Sequence, residues 1–183
     1  GTRFFAGRFD TMMFGLPGAA LAMYHCVPKG RRKLVGGLLF SAALTSFLTG
    51  ITEPLEFMFL FVAPWLYVVH AFLDGVSFAI ADLLSVRIGN TFSGGFIDFT
   101  LFGILQGNAK THWLYVVVVG VFWFALYYFL FRFLITKFNV ATPGRENDDD
   151  EVNVETKGTI AESAVRVLAA LGGKENVEDC DAC

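Results

Sequence analysis

Between residues 113 and 136 the chain runs for 24 positions with Arg132, near one end, as its only charge. An α-helix rises about 1.5 Å per residue, so this run reaches roughly 36 Å and crosses a hydrocarbon layer of about 30 Å. Trp113 and Tyr115 stand at one boundary, where interfacial aromatic anchors are found. Further apolar stretches cover 12–27 (broken by Gly15, Pro17 and Gly18), 34–48, 57–73 with His70 inside it, and 76–86 with Asp82. The composition agrees: 55% of the 183 residues are hydrophobic, 21 are Phe, and only 17% are charged, against about 25% charged in a soluble domain. The predicted fold class is therefore an all-α polytopic membrane protein.

Charge divides the chain in two. Residues 1–136 carry 9 basic and 6 acidic side chains, whereas 137–183 carry 5 basic and 11 acidic. The first part is predicted to meet lipid and the second water. Lys29, Arg31, Arg32 and Lys33 cluster before Leu34, and Arg132, Lys137 and Arg145 flank the exit of the last span. The positive-inside rule places both groups in the cytoplasm, with an even number of crossings between them. The middle apolar block then either crosses twice or dips in and returns. The break at Gly50-Ile51-Thr52-Glu53-Pro54 favours a re-entrant hairpin. The chain does not begin with Met and carries no signal-peptide pattern, and both ends read as cut.

Past Lys137, Thr142-Pro143-Gly144-Arg145-Glu146 reads as a turn. An acidic linker follows, completing a segment 137–158 with little to bury. Thr159 and Glu162 then make a capping box before a helical pattern through Ile160, Ala164, Val165, Leu168 and Leu171, closed by Gly172-Gly173. Residues 159–183 are thus predicted to begin a soluble domain.

The chemistry centres on Glu53 and Glu56, two carboxylates within an apolar region. A charge at membrane depth costs at least about 2.5 kcal/mol and lines a cavity when it occurs. Gly50 and Pro54 loosen the helix, and Pro54 biases Glu53 toward extended backbone. Such a segment turns a carboxylate and free backbone groups toward a polar ligand. A neutral sugar fits, because one carboxylate accepts from two hydroxyls. The competing reading is a loop with two solvated glutamates.

Other polar residues are less pointed. His70 reads as a core histidine bonded to backbone, with a ligand role as the alternative. Asp74, beside Gly75, reads as a turn, and Asp82 as a candidate for the bundle interior. Asn90 to Gly95 is either a loop or a pore lining, and Asp98 follows it. Cys26 is a small buried hydrophobe. Cys180-Asp181-Ala182-Cys183 admits a zinc site short of two ligands, a redox pair lacking its βαβ context, or a single nucleophilic thiol, and the tail leaves the three open.

Several motifs in order resemble the glucose–glucoside group of phosphotransferase-system permeases, whose membrane part is the IIC domain. Met12-Met13-Phe14-Gly15-Leu16-Pro17 is similar to that family's MMFGLP segment, and Gly50-Ile51-Thr52-Glu53-Pro54 to its GITEP signature. Phe92-Ser93-Gly94-Gly95-Phe96-Ile97-Asp98-Phe99 and Thr142-Pro143-Gly144-Arg145-Glu146 match as well. The tail, Gly172-Gly173-Lys174-Glu175-Asn176 followed by Asp181-Ala182-Cys183, resembles the start of the family's IIB domain. The resemblance implies a IIC membrane domain over 1–136, a cytoplasmic linker over 137–158, and the truncated start of a small α+β IIB domain over 159–183.

By the same resemblance, Cys183 is the phosphocysteine, and Cys180 is incidental. Glu53 is the sugar-contacting carboxylate. Glu56 is a second candidate, with support of the hairpin as its alternative role, and His70, from the residues alone, is a third. The implied activity is phosphoenolpyruvate-dependent import with phosphorylation of a hexose, glucose first, N-acetylglucosamine or maltose as alternatives. An ion-coupled transporter without covalent chemistry is the competing class. The phosphoryl donor is a IIA phosphocarrier, with no metal, no other cofactor and no nucleic-acid partner expected. The setting is a bacterial plasma membrane, crossed several times by a homodimer with a cytoplasmic tail.

Overall fold

The computed structural model describes residues 5–145. The acidic linker, the Thr159–Glu162 box and both Cys180 and Cys183 lie outside the described residues. Among those described, all regular structure is helical. Helix α1 (8–26) includes a π-helical turn, Thr11–Gly15, between Arg8–Asp10 and Leu16–Cys26. Helix α2 is Arg32–Thr49, α3 is Glu53–Leu60, and α4 is Pro64–Leu83. Helix α5 (96–104) is another short helix that widens into a π turn, α6 is Asn108–Thr111, and α7 is Trp113–Lys137.

Helix α7 explains its own environment. Its buried residues, Val116, Gly120, Trp123, Tyr127, Phe131 and Ile135, recur every three or four positions and form one face. The opposite face is equally apolar: Val118, Phe122 and Phe129 are each more than 60% exposed. A helix apolar all round belongs in a large core or in lipid. Pro64–Leu83 and Trp113–Lys137 are both long and apolar enough to cross a membrane.

Helix α1 lies along α7, its most extensive partner, and α2 flanks α1. The approach is close because small residues line the seam. A Cβ on Gly18 would sit 2.5 Å from the Phe124 carbonyl oxygen, and one on Gly120 would strike the Phe14 ring. Side-chain bonds tie α1 to its other neighbours. Ser46 donates to the Met12 carbonyl at 2.7 Å, and Ser77 to the Gly7 carbonyl at 2.7 Å.

The middle apolar block descends and returns. Helix α3 has eight residues and reaches only about 12 Å, too short to cross. The chain breaks at residues 61–63, and Pro64 opens α4, where its missing N–H is not needed. Trp65 at the start of α4 packs on Phe138 beyond the end of α7, ring centroids 4.9 Å apart. Ser77, late in α4, meets Gly7 before α1. Helix α4 therefore runs back along the bundle, antiparallel to α7. This also corrects one expectation: Asp74 and Gly75 lie within α4, not in a turn.

The basic groups flagged for orientation meet at one end. Thr142 to Arg145 forms the expected turn, with the Arg145 N–H bonding the Thr142 carbonyl at 2.8 Å and Gly144 at φ +81°. The Arg145 guanidinium reaches the Cys26 carbonyl at 2.8 Å and the Val140 carbonyl at 3.1 Å. Arg32 donates to the carbonyls of Val27 and His25, each at 3.0 Å. Cations thus satisfy carbonyls at the exit of α1 and beyond the end of α7, where the helix dipole favours them.

Candidate functional site

The Gly50–Glu56 corner is built from three segments. Helix α2 stops at Thr49 because Gly50 takes a left-handed conformation, φ +73°, and its N–H bonds back to Ser46 at 2.9 Å. Glu53 then begins α3. Pro54 falls in the first helical turn, where its ring is tolerated, so Glu53 is helical and not extended as the Pro alone suggested. Both Glu53 and Glu56 lie in that first turn, where the helix dipole stabilises carboxylates.

A second loop backs this corner. Asp98 is buried, and its Oδ2 accepts from the N–H groups of Thr91 at 2.8 Å, Phe92 at 2.9 Å and Ser93 at 3.2 Å. Its Oδ1 accepts from the Thr91 hydroxyl at 3.1 Å. Burial pushes this carboxyl up, but the backbone and hydroxyl donors together outweigh it, and the net lies below the ordinary carboxylate value. The loop so held delivers the Ser93 hydroxyl to the Gly50 carbonyl at 2.8 Å. Gly95 sits so close that a Cβ there would lie 2.4 Å from the Thr49 carbonyl carbon. The Asn90–Gly95 stretch is thus a stapled loop. Beside it opens a cavity of about 390 Å³ lined by Thr49, Thr91, Phe92, Ser93, Ile97, Asp98 and Leu101.

The two carboxylates have different surroundings. Glu53 is exposed, at the start of α3 and outside the lining of that cavity. Glu56 turns inward, and its Oε1 lies 3.4 Å from His70 Nε2 on α4. His70 is buried, and its Nδ1 lies 3.0 Å from the Tyr127 hydroxyl on α7. The histidine therefore bonds two side chains, not backbone. Glu56 and His70 come together, Glu53 stands apart on the same helix, and Cys183 lies outside the described residues. Asp82 faces Arg87 at 3.6 Å near the end of α4.

Sequence reasoning overlooked Tyr127. Its signal was present: a hydroxyl four residues beyond Trp123 and seven beyond Gly120, on the inward stripe of an apolar helix. It also overlooked Asp10, which is buried with its Oδ2 3.5 Å from the Ser77 hydroxyl.

Residues 1–75 match the family model described as "Phosphotransferase system, EIIC". Two relatives, the PTS system glucose-specific EIICBA components of Staphylococcus saprophyticus subsp. saprophyticus and Staphylococcus carnosus, are each 56% identical over 181 residues. The match covers 99% of this chain and 26% of each relative, so the chain spans about a quarter of the length of these curated relatives.

Proposed function

Because the chain belongs to the EIIC family of the phosphotransferase system, we propose that it is the later part of a sugar permease domain leading into a IIB phosphocarrier. Its substrate on this reading is glucose, imported and phosphorylated at O6. The α3–α4 hairpin is the re-entrant element, enclosed by other parts of the permease. Glu53 accepts hydrogen bonds from the sugar hydroxyls. The observation that carries this reading is the locked corner at Gly50. A carboxylate heads a helix too short to cross, and Ser93 and Gly95 hold the backbone behind it.

Phosphoryl transfer follows from the same assignment. A IIA phosphohistidine supplies the group to the Cys183 thiolate. The sugar O6 hydroxyl then attacks phosphorus: an O–P bond forms, the S–P bond breaks, the thiolate returns to Cys183 and the hydroxyl proton is released. Positioning and charge stabilisation account for most of the catalysis in such transfers. The charged product binds poorly where a neutral sugar fitted, and it leaves to the cytoplasm. The working form is a homodimer in the bacterial plasma membrane, with the tail cytoplasmic.

Uptake and phosphorylation by the full-length protein in proteoliposomes test this, with glucose, N-acetylglucosamine and maltose supplied one at a time. Glucose is the expected substrate, and Glu53→Gln should raise its KM about tenfold to a hundredfold, the loss of a charge-assisted bond. Cys183→Ser should abolish sugar phosphate formation. Undiminished accumulation of unmodified sugar in that variant would instead establish ion-coupled transport.

A further inference from the structure

One chain of side-chain bonds joins three helices through the middle of the described bundle. It runs from Glu56 on α3 through His70 on α4 to Tyr127 on α7, with distances of 3.4 and 3.0 Å. The Glu56 end orders the chain of bonds. An ionised carboxylate only accepts, so His70 Nε2 carries the proton. The tautomer with its proton on Nε2 leaves Nδ1 to accept from the Tyr127 hydroxyl. The same hydroxyl has a longer contact, 3.4 Å, with the His70 carbonyl.

The rings around this chain leave it little freedom. Phe59 packs edge-on to the His70 imidazole with centroids 6.0 Å apart, and Phe131 stacks on Tyr127 at 5.5 Å. Tyr127 is fully buried and His70 nearly so. Packing grips the Tyr127 ring: Gly15 approaches it so closely that an added Cβ would lie 2.9 Å away. Its hydroxyl adds the bond to His70, and that bond is felt at the other end of the chain. There Glu56 lies three positions after Glu53, in the same first turn of α3.

We propose that Tyr127 is a positioning residue for the sugar site: through His70 it holds Glu56, and with it the rotation of α3 that aims Glu53. This rests on Glu53 being the sugar-contacting carboxylate. A residue that orients the ground-state sugar site changes KM and leaves the transfer step alone.

The test uses the full-length protein in proteoliposomes, with glucose as probe and both KM and kcat read. Tyr127→Phe removes only the hydroxyl. It should raise the glucose KM about five- to tenfold, the loss of one buried hydrogen bond, with kcat changed by less than about twofold. Tyr128→Phe is the control, because its hydroxyl bonds His25 and Arg132 instead, at 2.9 and 2.7 Å; its KM should match wild type. In the background of Glu56→Gln, Tyr127→Phe should add nothing further. Should Tyr127→Phe fail to assemble, His70→Lys takes its place, since its ammonium keeps a donor toward Glu56 and has no acceptor for Tyr127. An unchanged KM in the variant used, or full additivity with Glu56→Gln, overturns the inference. If Glu53→Gln also leaves KM unchanged, the site reading beneath it fails instead.

Discussion

Removing the Asp98 carboxylate should open the loop behind the Gly50 corner. Three backbone N–H groups and one hydroxyl converge on this side chain, at 2.8 to 3.2 Å. Asn in its place offers one oxygen without charge and turns an NH₂ group toward donors. Each bond to a charged acceptor contributes about 1.5–3 kcal/mol, but Thr91 and Phe92 are exposed and their N–H groups rehydrate once released. A net cost of about 3 kcal/mol follows, or roughly a hundredfold in local opening. Hydrogen exchange of the full-length protein in lipid reads this directly: the amides of residues 91–93 should exchange roughly a hundredfold faster in Asp98→Asn. The wild-type loop has a matching pH dependence. Its folded carboxyl titrates below the ordinary value, so the stabilisation is complete above about pH 5 and fades as pH falls through about 4 and below. Protection that is indifferent both to Asp98→Asn and to acid would refute the stapled-loop account.

Two further substitutions probe the packing. Gly18→Val places a branched side chain where even a Cβ lies 2.5 Å from the Phe124 carbonyl oxygen. It should part α1 from α7 at a cost of about 3 kcal/mol or more, seen as a lower unfolding temperature in detergent. Arg145→Gln removes the donors to the Cys26 and Val140 carbonyls. The expected loss is about 1–3 kcal/mol, confined to the end of the bundle, and Cys26 should react faster with a thiol reagent.

The sequence discloses spans, breaks and charge asymmetry because those are one-dimensional. Residues 113–136 announce α7, and Thr142-Pro143-Gly144 announces its turn, since each depends on neighbours along the chain. Asp74 was misread for the same reason. An aspartate beside a glycine signals a turn locally, but here both lie inside a 20-residue helix that the surrounding apolar residues sustain. Pro54 was misread in the opposite sense. Its effect on the preceding residue depends on its place in the helix, and in a first turn the ring does little harm.

The pairing of His70 with its two partners could not be read from neighbours along the chain. Glu56 is 14 positions before it and Tyr127 is 57 after it, so nothing local joins either one to it. What the sequence does hold is a budget of polar groups within apolar stretches: Glu56, His70 and Tyr127 each carry a group that is costly to bury alone. Three such groups in three separate helices constrain one another. Each lowers the cost of the others only if the helices take one register and one rotation, which uniform apolar surfaces do not specify. The polar residues of a lipid-facing bundle therefore deserve to be read together, as candidates for mutual contact, before any is assigned to a ligand. On that basis Glu56 is committed to the fold through His70. Glu53, exposed and three positions earlier in the same helical turn, has no such tie to His70, and it is the carboxylate we propose for the sugar.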